Sequence, residues 1–462
     1  MVFSFFQSYL TTMKTKHLFL TTLILAVLIS AGTQKTFAQE TGALQVLTID
    51  EAVQFAMENN LGLKRSAIDL GTRKRAADRS WNSLLPTVGV GAMASHPTSI
   101  TGEIVPRQTM GPHGLQDRDV WTPGFSLSAG LNLSTSVIEN IRKAQADYEA
   151  GLLSYEAVQQ ELELAVRKLF YQILLLDANR ELAIQNFESA QSRHEQTAAL
   201  VRAGQAPRLD ELSARVDMEN MRPIVISAEI FYENALDSFK TILGIPAETA
   251  IKLDGDLSIG ITRDFFSART DSNESLEVSR LLASIRSMEA QRNSVRNSAY
   301  IPTLRLAWNS MPLFNRQHQY WNDSNGAFTI SLGFNVDNFL PWSNAKTQID
   351  TLNDNINATE ILVDETVRNR ENRISQHMRT VERILESMEA IKLNVELAQS
   401  TYEMVEDAYR RGAADYQRLR AAGDGLEQAN NRLLQEQFNL VAALLDLERE
   451  LNIPFGTLSK GE

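Results

Sequence analysis

Residues 125–133 have the sequence FSLSAGLNL, and residues 328–336 have the sequence FTISLGFNV. Apolar residues alternate with small or polar residues in both stretches, which is the period of an extended strand with one apolar and one polar face. Shorter versions of the alternation occur at residues 88–92 and 304–308, where Arg305 takes a polar-face position. The sequence therefore predicts two amphipathic strands in each half of the chain.

The length of these strands favours a membrane over a soluble β-sandwich, which would show the same alternation. We expect nine or more residues in each strand, and about 9 to 11 residues of a tilted strand cross a bilayer. The tryptophans lie inside or next to the predicted strands, at Trp81, Trp121, Trp308, Trp321 and Trp342. An aromatic girdle at the membrane interface explains this clustering better than the alternative, ordinary anchoring of loops.

Four strands per chain are too few to close a membrane barrel, because the smallest membrane barrels have about 8 strands. An open sheet edge in lipid would leave backbone N–H and C=O groups without partners. The chain must therefore oligomerise if its strands lie in a membrane. The strand count alone permits a dimer, a trimer or a tetramer.

Two very long helices are predicted at about residues 138–203 and 345–411, because apolar residues recur there at heptad spacing. At ~1.5 Å per residue, each helix would approach ~100 Å, which no compact globule accommodates. Basic residues interrupt the apolar seams at Arg180, His194, Arg370 and His377. Either these side chains pair at helix interfaces with their stems buried, or they line a water-filled duct.

The chain contains an internal tandem duplication. Residues 202–204 (RAG) match residues 410–412 (RRG), and residues 243–246 (LGIP) match residues 451–454 (LNIP), both at an offset of 208 positions. We expect a first repeat at 39–252, a linker at 253–273, a second repeat at 274–456 and a short tail at 457–462. Each repeat is predicted to run helix, strand, loop, strand, very long helix, glycine turn and long helix.

Composition and the N-terminus indicate an exported chain. The net charge of −12 argues against nucleic acid as a partner, and the absence of cysteine excludes disulfides and thiolate chemistry. Residues 13–39 have two lysines before a short apolar stretch and then small residues, which predicts a secretory signal within 1–38, with Met13 as an alternative start. No later stretch has the 18 apolar residues of a spanning helix, so a helical membrane protein is excluded.

These residues together resemble the TolC-like outer-membrane factor family of efflux and secretion systems. The resemblance extends from residues 47–52 (LTIDEA) to residues 451–454 (LNIP), so it covers nearly the whole exported chain. It implies a mainly α fold with a small β part. A homotrimer would form a shared twelve-stranded barrel in the outer membrane and a long α-helical barrel in the periplasm. It also implies a periplasmic adaptor and an inner-membrane pump or ABC transporter as partners.

The same resemblance points to the helical turns as functional ends. In this family a glycine closes each periplasmic turn, where the adaptor or pump makes contact, and Gly204 and Gly412 occupy that position. Family members often carry acidic residues soon after the glycine, which a trimer would arrange as a ring that attracts cations. Asp210 and Glu211 follow the first glycine, whereas the second is followed by Asp415 and Arg418. A ring of alternating Asp210 and Arg418 that pairs when closed is one hypothesis, and solvated surface charges are the alternative.

We expect neither catalysis nor a cofactor. Sequence motifs of phosphate-binding loops, serine hydrolases and zinc proteases are missing, and the six histidines have no ligand spacing. Metal contact in the predicted outer loops is a minor alternative that would involve His96, Met110, His113 and His318.

Two classes of function stay open at this point. The favoured one is a passive exit duct in the outer membrane, driven by a pump in the inner membrane. The alternative is an exported coiled-coil scaffold or adaptor without a barrel, for which the heptads would suffice. The amphipathic strands and clustered tryptophans would have no purpose in a scaffold.

Overall fold

The structure, a computed structural model, describes residues 45–95, 108–111, 114–117, 121–258, 275–315, 320–322 and 326–458. The predicted leader and signal segment, 1–38, lies outside these residues. The chain divides into a larger unit of Val46–Ala247 with Leu253–Glu462 and a smaller unit whose described residues are Gln45 and Glu248–Lys252. All candidate functional residues of the described part lie in the larger unit.

Helices account for most of the described chain. They are α1 (Ile49–Asn59), α2 (Leu61–Arg79), α3 (Thr135–Arg202), α4 (Arg208–Leu243), α5 (Leu276–Tyr300), α6 (Asn344–Arg410) and α7 (Tyr416–Leu451), with short 3-10 helices at Ser80–Leu84 and Val336–Phe339. The described strands are β1 (Gln45–Leu47), β2 (Thr87–Ser95), β3 (Gln108–Gly111), β4 (Gly114–Asp117), β5 (Thr122–Leu133), β6 (Ile251–Leu253), β7 (Thr303–Ser310), β8 (Leu313–Asn315), β9 (Tyr320–Asn322) and β10 (Gly326–Gly333).

The four long strands form one antiparallel sheet in the order β2, β5, β7, β10. The register places Val90 opposite Leu127, and it places Leu306 opposite both Leu131 and Ile330. Residues opposite each other in antiparallel strands lie on the same face of the sheet. The predicted amphipathic alternation is therefore confirmed, and it is continuous across all four strands. The short strands β8 and β9 extend this sheet beside β5, and β3 and β4 pair in a separate antiparallel two-stranded sheet.

The expected strand length is wrong for two of the four strands. β7 and β10 have 8 residues each, and β10 ends at Gly333, so Phe334 and Val336 are outside it. The chain turns there into the 3-10 helix of Val336–Phe339. The Asn338 side chain holds that turn by donating to the carbonyl of Ala299 at 3.1 Å.

The predicted long helices are confirmed within three residues at each end. α3 has 68 residues and α6 has 67, so each is ~100 Å long. Their heptad seams supply buried residues, including Val166, Ile173, Val381 and Ile384. Within the described residues, no helix has the length and apolar composition needed to cross a membrane.

Two of the basic residues that interrupt the apolar seams make contacts at helix interfaces. This agrees with the first of the two alternatives, pairing at interfaces, for these two residues. The Arg180 guanidinium pairs with Asp177 and lies 4.9 Å from the ring centre of Tyr232. Arg370 donates to the backbone carbonyl of Glu450 at 2.9 Å. These contacts satisfy cations on faces that also carry apolar residues.

The duplication is visible in the backbone. Gly244 ends α4 with a φ of +73°, and Asn452 ends α7 with a φ of +56°. Both positions therefore have the left-handed conformation that glycine and asparagine tolerate best. The expectation of one helix before the first strand of each repeat is wrong for the first repeat, where α1 and α2 are separate because Asn60 breaks and caps the helix. The repeat limits stay a prediction.

Gly244→Ala tests how closely α4 packs against the end of α1. A Cβ at this position would lie 2.7 Å from the carbonyl oxygen of Asn59, whereas a Cβ at Gly412, which has a φ of +70°, meets no atom within 4 Å. We expect Gly412→Ala to cost about 1 to 2 kcal/mol from the left-handed backbone alone. Gly244→Ala should cost more, because the two backbones must also separate. Thermal unfolding of both purified variants measures the difference, and equal midpoints would contradict this packing.

Candidate functional site

The sheet has two faces of opposite character. The apolar face is formed by Val88, Val90, Ala92, Phe125, Leu127, Ala129, Leu131, Leu133, Leu304, Leu306, Trp308, Phe328, Ile330 and Leu332. Many of these side chains are exposed, and Val90 and Leu332 have 75% and 69% of their surface accessible. The other face carries mainly glycine, serine, threonine and asparagine, together with Arg305, Met93, Ala307 and Ala327. An apolar face of this extent requires a covering by lipid or protein.

The five tryptophans are all exposed and occupy both ends of the sheet. Trp81 lies in the 3-10 helix before β2, and Trp342 follows the 3-10 helix after β10, so both are at the end that adjoins the long helices. Trp121, Trp308 and Trp321 lie toward the opposite end, where the rings of Phe125 and Trp321 are 5.1 Å apart. Two aromatic levels flanking an apolar band are the arrangement of residues at membrane interfaces. Their interfacial role stays a prediction.

The two turns between long helices have the same backbone geometry. Gly204 and Gly412 have φ values of +72° and +70°. The N–H of each glycine donates to the carbonyl three residues earlier, at 3.0 and 2.9 Å, and the N–H of the next residue donates to the carbonyl five residues earlier, at 2.8 Å in both turns. This pair of hydrogen bonds is the Schellman motif, in which a left-handed residue reverses the chain. Both glycines are exposed.

The charged residues after the two glycines have different local roles. Asp210 and Glu211 lie in the first turn of α4, where carboxylates interact favourably with the helix dipole. Asp415 is the N-cap of α7, and its side chain accepts the backbone N–H of Arg418 at 2.9 Å. Pro207 has the corresponding position before α4. Inside one chain, the described residues show no ion pair between Asp210 and Arg418, so the proposed ring would have to form between subunits.

Sequence reasoning missed a buried polar network close to the turns. The Tyr416 hydroxyl of α7 donates to Asp217 of α4 at 2.9 Å, and Arg420 approaches the other oxygen of Asp217 at 3.2 Å. A second contact joins the hydroxyls of Thr197 in α3 and Tyr409 in α6 at 2.9 Å. Asp217, Tyr416, Thr197 and Tyr409 are buried. The network therefore ties the α3–α4 hairpin to the α6–α7 hairpin.

Burial changes the acid–base behaviour of the network tyrosines. Loss of solvent raises the pKa of Tyr416 well above its usual range, and the hydrogen bond to Asp217 raises that pKa further. Burial also raises the pKa of Tyr409, and the nearby charge of Asp210 adds to this effect. Both hydroxyls thus keep their protons, and Tyr416 stays a donor to Asp217. A neutral donor facing a carboxylate is a strong hydrogen bond.

The network gave little signal in the sequence. Asp217 corresponds to Gly425 in the second repeat and Tyr416 corresponds to Arg208 in the first, so the repeat comparison marks both positions as divergent. It does not say that they are buried or in contact. That information depends on the sideways packing of α4 and α7.

Metal contact receives no support from the described part of the chain. No group of three or more potential metal ligands occurs there. His96, His113 and His318 lie outside the described residues, and Met110 lies in β3.

Part of the chain matches a known protein family. Residues 52–244 match the family model described as Outer membrane efflux protein. The matched range covers α1 to the end of α4 and so falls within the predicted first repeat. No curated protein matches the chain.

Solved outer-membrane channels share the fold over most of their length. The outer-membrane channel OprN is 16% identical with a TM-score of 0.71, and the match covers 88% of this chain and 90% of OprN. VceC from Vibrio cholerae is 12% identical with a TM-score of 0.72, covering 88% and 96% of the two chains. CmeC from Campylobacter jejuni is 16% identical with a TM-score of 0.70, covering 90% and 87%. At these identities the likeness establishes the fold.

Tyr416→Phe tests the network through its pH dependence. Near pH 7 we expect a loss of about 1.5 to 3 kcal/mol, because a buried carboxylate loses a donor. The difference from the parent should shrink above about pH 10, since unfolded tyrosine then ionises while folded Tyr416 keeps its proton, so the parent loses stability as the pH rises. Thermal unfolding from pH 7 to 11 measures both effects.

Tyr402→Phe is the matched control for this measurement. Its hydroxyl lies 3.3 Å from the guanidinium of Arg193 in a partly exposed position, so its removal should cost less at pH 7. Equal losses for the two variants would contradict a special role of the bond between Tyr416 and Asp217.

Proposed function

We propose that the chain is an outer-membrane exit duct, because residues 52–244 match the Outer membrane efflux protein family model and the chain shares the fold of solved outer-membrane channels. It conducts substrates from the periplasm across the outer membrane for an efflux or type I secretion system. The duct is passive, because the energy comes from a pump or ABC transporter in the inner membrane. No chemical step is assigned to it.

The observation that carries this proposal is the exposed apolar face of the four-stranded sheet. Its side chains include Val88, Val90, Phe328, Ile330 and Leu332, all largely accessible in the single chain. The opposite face has the small and polar residues of a water-filled lumen. In the outer membrane the apolar face would contact lipid and the polar face would line the duct.

The strand edges require further copies of the chain. Among the four long strands that the structure describes, β2 and β10 are the outermost. Lipid offers no hydrogen bonds to their backbone groups, so β10 of one copy must pair with β2 of the next. Three copies would close a twelve-stranded barrel, in agreement with the trimer that the family resemblance implies.

The long helices continue the duct on the periplasmic side. α3, α4, α6 and α7 form two hairpins per chain, and a trimer would arrange six hairpins around one bore. Gly204 and Gly412 close the hairpin turns at the far end from the sheet. We assign these turns to contact with the periplasmic adaptor and the pump.

We assign the pore constriction to the region near the same turns. Asp210, Glu211 and Arg418 lie in the first turns of α4 and α7, and the network around Asp217 holds the two hairpins together beside them. Opening would require the hairpins to separate and this network to break. In this proposal Asp415 contributes by capping α7.

A pair of lysine substitutions on one strand tests the barrel. Ile330→Lys places a cation on the apolar face of β10, at a cost of about 2 to 4 kcal/mol near the bilayer midplane. Thr329→Lys places the same residue on the polar face, one position away. We expect Ile330→Lys to lower strongly the amount of trimer in outer-membrane detergent extracts and Thr329→Lys to leave it near the parental level.

Fractionation of the unmodified chain decides between the two classes of function. Recovery from the outer membrane as a heat-modifiable trimer is the result that the duct requires. Recovery of the parent from the soluble periplasmic fraction would overturn the proposal in favour of a scaffold.

Arginine-to-alanine variants on α7 test the constriction. Arg420→Ala removes a half-exposed ion pair with Asp217. Such a pair contributes about 1 kcal/mol or less to holding the two hairpins together. We therefore expect the frequency of channel openings to rise about twofold to fivefold. Arg432→Ala removes an exposed arginine further along the same helix and should leave the current unchanged. Single-channel recording in planar bilayers measures the resting current.

Arg418→Ala in the same recordings tests the ring of Asp210 and Arg418. A raised resting current would agree with intersubunit pairing at the closed end. An unchanged current would remove Arg418 from the constriction and leave it as a solvated surface charge.

A further inference from the structure

The polar face of the long strands carries a single charged side chain. Across β2, β5, β7 and β10, as the structure describes them, Arg305 is the one ionisable residue. The rest of this face is small or neutral, and its members include Gly89, Gly91, Ser126, Ser128, Gly130, Asn132, Ala307, Asn309, Thr329 and Ser331. The chain as a whole has a net charge of −12, so the positive charge of this face is opposite in sign to that of the whole chain.

The register fixes the level of Arg305 in the sheet. It lies opposite Asn132 of β5 on one side and opposite Ser331 of β10 on the other. These neighbours are neutral, and in the described structure Arg305 is exposed and forms no ion pair with another described residue. It is the third residue of β7, close to the end of the sheet that adjoins the long helices.

We propose that Arg305 forms a ring of positive charge inside the duct that favours anionic over cationic solutes. This inference rests on the proposed function, because the ring needs three copies and a water-filled lumen. The solutes favoured would carry carboxylate, phosphate or sulfonate groups. Rings of arginine or lysine in a pore attract anions, and low-dielectric walls strengthen the field inside.

A solute in the duct would pass both the Arg305 ring and the acidic residues that follow the Gly204 turn. Asp210 and Glu211 lie at the far ends of the long helices, whereas Arg305 lies in the sheet. The distance between the two levels exceeds the Debye length of about 8 to 10 Å many times over, so the two sets of charges act independently. The duct would therefore have a level that attracts cations and a separate level that attracts anions.

A purely structural role for Arg305 makes a different prediction. If the guanidinium served only as a hydrogen-bond donor to neighbours such as Asn132, the planar arrangement of its N–H donors would determine its effect, and its charge would have none. Lysine keeps the positive charge but lacks the planar set of N–H donors, while glutamine lacks the charge. The pair Arg305→Lys and Arg305→Gln separates the two roles.

Cysteine labelling tests the local potential, and the absence of native cysteine makes it specific. Ser331→Cys places a thiol opposite Arg305 on the polar face, and Leu332→Cys places one on the apolar face of the same strand. The full-length protein in lipid nanodiscs is treated with the anionic sulfonatoethyl and the cationic trimethylammonioethyl methanethiosulfonates. The ratio of the two rates reports the potential, since a change in thiol ionisation affects both reagents equally.

We expect Ser331→Cys to react and Leu332→Cys to be protected by lipid. Combining Ser331→Cys with Arg305→Gln should lower the ratio of anionic to cationic rate about threefold or more at low salt. Combining it with Arg305→Lys should leave the ratio near that of Ser331→Cys alone. At about 1 M salt the difference should shrink strongly, because the Debye length is then only about 3 Å.

Each contrary result has a distinct meaning. Protection of Ser331→Cys with reaction of Leu332→Cys would overturn the proposed duct and the charge ring with it. Reaction at Ser331→Cys with the same ratio in Arg305→Gln would overturn the ring and leave the duct intact. An Arg305→Lys variant that loses the ratio as Arg305→Gln does would show that charge is not the cause.

Discussion

The hydrogen bonding of the sheet edges is the constraint on which the rest of the structure depends. β2 and β10 present backbone N–H and C=O groups at the two sides of a sheet whose apolar face is exposed. Water would satisfy those edges but not the apolar face, and lipid would cover the apolar face but not the edges. Only closure with further copies meets both demands. In the proposed duct, the oligomeric state would therefore follow from two properties of one chain, its facial polarity and its strand number.

The arrangement of the helices in the proposed trimer would depend on the same closure. α3 follows β5 after a single residue, Ser134, and a 3-10 helix leads from β10 toward α6, so the sheet fixes where the hairpins begin. Hairpins that start at equal intervals around a closed barrel continue it as a ring of helices. Small residues in the α3 seam, such as Ala183 and Ala190, are buried and allow the helices to approach closely. In the proposed trimer, the barrel and these small side chains would together set the bore of the helical part.

The sequence predicted those features that depend on a local period. Alternation placed Leu127 and Ile330 on one face, the heptads gave α3 and α6 within three residues, and the repeat identified both glycine turns. It did not predict the bond between Tyr416 and Asp217, because that contact depends on how two hairpins pack sideways. It also missed the break at Asn60, whose side chain caps α2 and donates to the carbonyl of Ile242, 182 residues away. Long-range contacts of this kind leave no period to detect.

The two repeats share a backbone but differ in charge at corresponding positions. Lys240 fastens the segment after α4 by donating to the carbonyl of Ala247 at 2.8 Å. Its counterpart 208 positions later, Glu448, fastens the segment after α7 by accepting the N–H groups of Gly456 at 2.8 Å and Leu458 at 2.7 Å. Asp210 and Arg418 are a second pair with opposite charges. Six hairpins in a trimer would therefore share a backbone course and alternate in charge at the positions of Asp210 and Arg418. In the proposed trimer, duplication would supply the even spacing that a closed ring needs, and divergence would give neighbouring hairpins opposite charges at Asp210 and Arg418.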